Sequence, residues 1–317
     1  MPSALPRVRG RFAPSPTGPL HFGSLVAALA SYCDARARGG DWLVRIEDVD
    51  EPRSRSGAQH AIITTLAHYG FRWDSEIVLQ SQRGAHYQQA LDALIGKGLA
   101  YPCACTRREL EAAPASPSGD RIYPGTCRNG IPRAHANRTR HAWRVRVDGA
   151  CVGFVDRLQG RQSQQLDSEV GDFVVKRSDG LFAYQLAVVV DDAKQQVTDV
   201  VRGADLLSST PRQLWLQGLL GLPEPAYLHV PIAIDDHGAK LSKQTRASAL
   251  PATPLPALLA AWSFLDQALP LHALHDVGAF WQHAVLHWSA ARLPPVGMLP
   301  APSAFARARD DGATRGV

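Results

Sequence analysis

RFAPSPTGPLHFGS, residues Arg11 to Ser24, is the stretch from which the rest of the chain is read. The run leading into it, Arg7 to Ala13, is apolar with polar breaks and predicts a β-strand. Pro14 and Pro16 then stop regular pairing, because proline has no backbone N–H to give. Gly18 and Gly23 permit tight turns or the close approach of a ligand. Leu25 to Arg38 is rich in Ala and Leu and closes on Gly39 and Gly40, which predicts a helix. Strand, compact turn and helix N-terminus in that order set free N–H groups and a positive dipole end where an anion can sit. His21, just ahead of the helix, is placed to donate to a phosphate. The same arrangement also describes an ordinary βα turn, and the stretch alone does not separate the two readings.

Outward from it, Trp42 to Glu47 reads as a second strand, so the two strands and their helix predict a parallel βαβ unit. That strand ends in Arg45, Glu47, Asp48 and Asp50. Ligands of open parallel sheets bind at the carboxyl ends of strands, so Glu47 or Asp48 is a candidate partner for an ammonium group. A solvated strand end is the plainer alternative. Ala58 to Tyr69 and the segment from Tyr87 to Leu99 carry helical apolar stripes, which are core positions.

Tyr101 to Arg128 holds three of the five cysteines, Cys103, Cys105 and Cys127, around a Pro/Ser-rich loop at 113–119. Three thiolates so spaced suit a tetrahedral zinc ion, with Tyr123 or His135 open as the fourth ligand; reduced cysteines without metal are the alternative. Cys33 and Cys151 read as core residues. Arg133, Arg138, Arg140, Arg144 and Arg146 make a basic segment, either a phosphate-contacting face or a solvated surface. Val170–Val175 and Leu181–Val190 form an apolar pair around the turn Ser178-Asp179-Gly180, and Val197–Val201 is a further strand ending at Arg202. A helix capped at Ser209 or Thr210, with Pro211 in its first turn, runs to Gly221. His229–Ile234 is one more strand, followed by a turn and by Lys240-Leu241-Ser242-Lys243-Gln244, a loop able to fold over a polyphosphate. Residues 255–291 read as helical, and the tail from 293 as disordered.

The chain has 317 residues, 45% hydrophobic and 20% charged, with a net charge of +5. These values fit a globular protein with a real core and hint at a polyanionic partner. The absence of a membrane-length apolar run or a leader-like start predicts a cytoplasmic protein, and no apolar surface demands an oligomer, so a monomer is expected. GxGxxG and GxxxxGK[ST] are both missing, so dehydrogenase and P-loop classes lack their fingerprints.

Three elements, PSPTGPLHFGS, RIEDVD and KLSKQ, occur in the order found in class I aminoacyl-tRNA synthetases of the glutamyl/glutaminyl group, and the chain resembles that family from Arg7 to Ala249. HFGS resembles the HIGH signature, with Ser24 in place of its second histidine, and KLSKQ resembles the KMSKS loop, with Leu241 and Gln244 as departures. VVVDDAKQQVTDVVRG is similar to a run typical of the glutamate group. The chain ends soon after Lys243, a plan similar to the branch of the group that lacks an anticodon-binding domain. That branch activates glutamate without tRNA and places it on the cyclopentenediol of queuosine in tRNA(Asp).

The resemblance implies an α/β fold: a Rossmann-type parallel catalytic domain in two halves (1–100 and 169–249), a zinc-binding and connective insertion (101–168), a helical segment (250–292) and a tail (293–317). It implies His21, Lys240 and Lys243 as catalytic residues, and Gly18, His21, Gly23, Ser24 and Lys243 around ATP, which enters with Mg²⁺. Arg11, Phe12, Ala13, Pro14, Ser15, Glu47, Tyr184 and Arg202 are implied around L-glutamate, with both arginines on carboxylates and Glu47 on the ammonium. One Zn²⁺ is implied on Cys103, Cys105, Tyr123 and Cys127.

Overall fold

The computed structural model describes residues 7–50, 54–116, 121–241 and 248–306. The chain opens with β1 (Arg9–Phe12), α1 (Phe22–Arg36), β2 (Asp41–Ile46), α2 (Ala58–His68), β3 (Val78–Leu79) and α3 (Gly84–Gly96). A second stretch follows: β4 (Ala100–Cys103), α4 (Arg107–Glu111), β5 (Ala142–Val145), β6 (Cys151–Asp156), β7 (Gly160–Gln165), α5 (Leu166–Glu169) and β8 (Phe173–Lys176). Then come α6 (Tyr184–Lys194), β9 (Asp199–Gly203), α7 (Thr210–Leu220), β10 (Ala226–Val230) and β11 (Ile232–Ile234). The last elements are α8 (Pro254–Phe264), α9 (Val277–His287), β12 (Met298–Pro300) and α10 (Ser303–Ala306).

Five strands form one parallel sheet in the order β10-β9-β1-β2-β3. The chain leaves β1 toward β2 on one side and returns as β9 on the other. The order therefore reverses at β1, and a crevice opens at its carboxyl end, where α/β sheets bind ligands. Pro14, which follows β1, and Gly23, in the first turn of α1, line that crevice. Helix α1 packs on β1, β2 and β9 and also meets α8 and α9, so it is buried on nearly every side. Trp42, fully buried on β2, stacks on Phe71 and meets Tyr32 of α1 edge-on. Trp281 of α9 closes this aromatic cluster and donates its indole N–H to Tyr69 O at 2.9 Å. The C-terminal helices thus share one hydrophobic core with the parallel sheet and α1.

The expected Rossmann-type core with an insertion is what the topology shows, with four adjustments. The run LFAYQLAVVV is not a strand: from Tyr184 it is α6, lying against α3 and α7 with Leu186 to Asp192 all buried. A continuous apolar run has no periodicity to separate a buried helix from a buried strand, and here the helix is sheathed on all sides. β8 pairs with β5 in an antiparallel sheet, β4-β5-β8, so the inserted layer runs past the expected boundary at 168. Pro231 has no N–H for a ladder, and it divides the expected strand 229–234 into β10, in the parallel sheet, and β11. β11 pairs with β12, and Phe305 stacks on Phe22 at 4.4 Å, so residues 293–306 are ordered rather than the disordered tail expected. The remainder of that tail, 307–317, lies outside the described residues. Among the described residues no helix is long and apolar enough to cross a membrane.

Candidate active site

A cavity of about 680 Å³ opens at the carboxyl ends of β1, β2, β9 and β10. Arg11, Phe12, Ala13, Pro14, Ser15, His21, Gly23, Ser24, Glu47, Tyr184, Arg202 and Lys240 all line it. Gly18, expected beside ATP, does not; it is buried in the turn beneath, at a φ of 153° that favours glycine. Lys243 and Gln244 lie outside the described residues. The described flanks of their loop both rest on the opening turn. Leu241 N–H donates to Ala233 O at 2.9 Å, a Cβ on Gly23 would come within 3.8 Å of Leu241 O, and Ala249 bridges to His21.

His21 is the N-cap of α1, and its imidazole Nδ1 accepts from Ser24 N–H. That contact leaves the ring proton on Nε2, the form that can donate to an anion. The first turn of α1 carries no acid, so the dipole end keeps its positive potential. A Cβ on Gly23 would meet the His21 ring at 3.3 Å, which only glycine avoids. On the far wall Lys240 pairs with Asp205, a cavity residue that sequence reasoning missed.

The amino-acid side of the cavity is a buried charge network. Arg11 Nε donates to Asp192 Oδ1 at 3.3 Å, and Arg45 Nη1 donates to the same oxygen at 2.7 Å. Arg45 Nη2 reaches Glu47 Oε1 at 3.2 Å. Burial pushes Asp192 up, but Arg11 and Arg45 outweigh it and hold the carboxyl below its usual range. Burial pushes Glu47 up as well, and there Arg45 and Arg11 only partly offset it. Burial, with Glu47 nearby, raises the Tyr184 phenol. The other acid of the pair, Asp191, points away and holds Tyr87 Oη at 2.6 Å, Gln80 Nε2 at 3.0 Å and Arg83. Of the two candidate acids on β2's end, Asp48 is spent on Ser81 N and Oγ, at 2.8 and 2.7 Å, leaving Glu47 on the cavity. Arg202 stands on β9, 5% exposed. Its Nε and Nη2 are held by His229 and Thr210, while its buried Nη1 has no partner among the described residues.

A second cluster lies in the inserted layer. Cys103, Cys105 and Cys127 bring their sulfurs within 4.8 Å of one another, and Cys105 and Cys127 are 3.7 Å apart. Tyr123 Oη is 3.3 Å from Cys103 Sγ and 3.8 Å from Cys105 Sγ, and it accepts from Cys127 N–H at 2.8 Å. Tetrahedral zinc with Zn–S of about 2.3 Å needs ligand atoms about 3.8 Å apart, and the cluster fits that size. His135 instead pairs with Glu109 at 3.1 Å. Burial pushes the Cys105 thiol up to about 12 and the Tyr123 phenol higher still, so a bound cation's charge is what would ionise them. Arg144 supports the cluster, donating to Cys103 Sγ at 3.3 Å with its guanidinium 3.8 Å over the Tyr123 ring. Of the basic segment, Arg138 is spent on Glu109 and Ala104 O, Arg146 on Gly98 O and Arg128 O, and Arg144 here; Arg133 and Arg140 are exposed. Cys33 is buried as expected, whereas Cys151, expected in the core, is exposed at the start of the β6–β7 hairpin.

The reversed parallel sheet thus brings a helix N-terminus and a set of buried arginines and acids to one cavity, an arrangement that suits an anionic ligand. A family model described as "tRNA synthetases class I (E and Q), catalytic domain" matches residues 7–253, and the chain belongs to that family. Among its relatives, the glutamyl-Q tRNA(Asp) synthetase of Aromatoleum aromaticum is 53% identical over 97% of this chain and 98% of its own. Those of Dechloromonas aromatica and Burkholderia mallei are 54% and 56% identical, over 93% and 90% of this chain and 98% and 97% of their own. The solved glutamate-tRNA synthetase of Elizabethkingia anophelis shares the fold at a TM-score of 0.75 and 24% identity, over 93% of this chain and 68% of that one.

Proposed function

We propose that this enzyme activates L-glutamate with ATP to glutamyl-adenylate without needing tRNA. It then transfers glutamate to the cyclopentenediol of queuosine at the wobble position of tRNA(Asp). The observation that carries this reading is one cavity in which Glu47, Arg202 and the His21-capped end of α1 converge. The chain is also similar to glutamyl-Q tRNA(Asp) synthetases over nearly its whole length.

Activation needs no protein nucleophile. The glutamate carboxylate attacks the α-phosphorus of ATP, and pyrophosphate leaves with its Mg²⁺. The protein's part is to orient the reactants and to stabilise phosphate charge. Arg11 and Arg202 receive the carboxylates, and Glu47, held by Arg45, receives the ammonium. Phe12, Ala13, Pro14, Ser15 and Tyr184 shape the pocket. His21 Nε2–H, the first N–H groups of α1 at Gly23 and Ser24, Lys240 and Lys243 meet the phosphates, with Gly18 holding the turn beneath. In the second step a queuosine hydroxyl attacks the adenylate carbonyl and AMP departs.

Cys103, Cys105, Tyr123 and Cys127 would hold one structural zinc ion, fixing the fold of the inserted layer; the purified protein should contain about one zinc per chain. The enzyme acts as a monomer in the cytoplasm, where ATP and tRNA are available. The test of the acceptor uses labelled glutamate, ATP and queuosine-bearing tRNA(Asp). Label should remain on the tRNA after its CCA end is removed. Label lost with the CCA end would make the protein a minimal glutamyl-tRNA synthetase instead.

A further inference from the structure

Arg202 does not hold its own position. Its Nε donates to His229 Nε2 at 3.0 Å and its Nη2 to Thr210 Oγ1 at 2.9 Å. His229 sits directly across from it, in register on the neighbouring strand β10, and is fully buried. Behind the ring, His229 Nδ1 is 2.7 Å from Asp156 Oδ2, at the end of β6. Asp156 is itself buried, and its Oδ1 accepts from the backbone N–H groups of Leu158, Gln159 and His229 at 2.9, 2.8 and 3.2 Å. The result is a chain of three buried groups from the β6–β7 hairpin to the cavity wall.

A guanidinium can only donate, so His229 Nε2 must accept. The imidazole is therefore neutral, with its proton on Nδ1 donated to Asp156 Oδ2. Asp156 fixes the tautomer, the tautomer fixes Arg202 Nε, and Thr210 fixes Nη2. The one guanidinium nitrogen left over, Nη1, belongs to a residue that lines the cavity. We propose that His229 and Asp156 are positioning residues for the substrate carboxylate: they hold the Arg202 guanidinium in its orientation at the wall of the cavity where glutamate would bind. This rests on the reading of Arg202 as a carboxylate partner. A planar fork is selective only when it cannot rotate, and a pre-set fork spends no binding energy on ordering itself.

The test measures pyrophosphate exchange with separate KM values for glutamate and ATP, alongside melting temperatures. Asp156→Asn is the decisive variant because it is isosteric. The backbone donors on Oδ1 hold the amide oxygen there, so the amide NH₂ falls at Oδ2 and faces His229 Nδ1. The imidazole proton must then move to Nε2, against the Arg202 Nε–H. We expect the glutamate KM to rise about tenfold or more, with the ATP KM within about twofold of wild type. His229→Leu should do the same, and His229→Gln, whose amide oxygen can accept from Arg202 Nε, should recover most of the loss. A wild-type glutamate KM in Asp156→Asn, or equal losses in the Gln and Leu variants, would overturn the proposal. Wild-type exchange and its loss in Arg202→Ala check the underlying reading separately. Exchange unaffected in Arg202→Ala would remove that reading, whatever the His229 variants do.

Discussion

The two sides of the cavity are built differently. On the side proposed for the amino acid the charges are buried: Arg11 and Arg45 share Asp192, Arg45 also holds Glu47, and Arg202, with no carboxylate partner among the described residues, is fixed by His229 and Thr210. On the phosphate side the groups are a helix end with its His21 cap and a lysine at 44% side-chain exposure, parked on Asp205. On the proposed reading the first side selects glutamate and the second, more exposed side receives the polyphosphate. Changes on the amino-acid side should therefore move glutamate affinity, and changes on the phosphate side should move turnover.

The largest break is expected on the phosphate side. Lys243→Ala should lower kcat of pyrophosphate exchange by about 10²–10³, with the glutamate KM near wild type. A raised glutamate KM with intact kcat would erase the distinction between the two sides. Next, Arg202→Ala should raise the glutamate KM by about 10², the worth of a charged hydrogen bond, and leave the ATP KM unchanged. Glu47→Gln should raise the glutamate KM by about tenfold through loss of the ammonium partner. Its effect on stability runs the other way. Burial raises the folded pKa of Glu47 above its ordinary 4.5, so its contribution is present below that pH and is lost as pH rises through the folded value. The wild type should therefore lose melting temperature relative to the Gln variant as pH rises through that folded value.

The smallest effect is in pH. Burial, with Arg202 adding to it, lowers the His229 pKa below its ordinary 6.5, although Asp156 pulls the other way. Its contribution to stability is complete above 6.5 and is lost as pH falls toward the folded value. The melting temperature should fall modestly between pH 7 and pH 5, and by less in His229→Gln. Asp192, also held low, adds its loss only below about 3.8.

Much of this site was legible because its residues sit at strand and helix ends that local signals mark. Proline and glycine after β1 announced the turn, and the Ala/Leu run announced α1 with His21 as its cap. Glu47 came from its place at the carboxyl end of a parallel strand, whereas Tyr184 and Arg202 came only from the resemblance carried by the order of motifs. What holds those residues was not legible. Asp192 looked like the polar end of an apolar strand, whereas a buried helix carries it under Arg11 and Arg45. Asp156 and His229 are 73 residues apart, and nothing in their neighbourhoods pairs them. The same is true of Asp205, 35 residues before the lysine it holds. Long-range pairing of charge belongs to the tertiary fold, and local pattern does not encode it.

The most direct measurement is glutamate-dependent exchange of labelled pyrophosphate into ATP with no tRNA present. The pre-set amino-acid side predicts exchange with glutamate by the tRNA-free enzyme. Exchange that appears only when tRNA is added, or none with glutamate at all, would contradict the account.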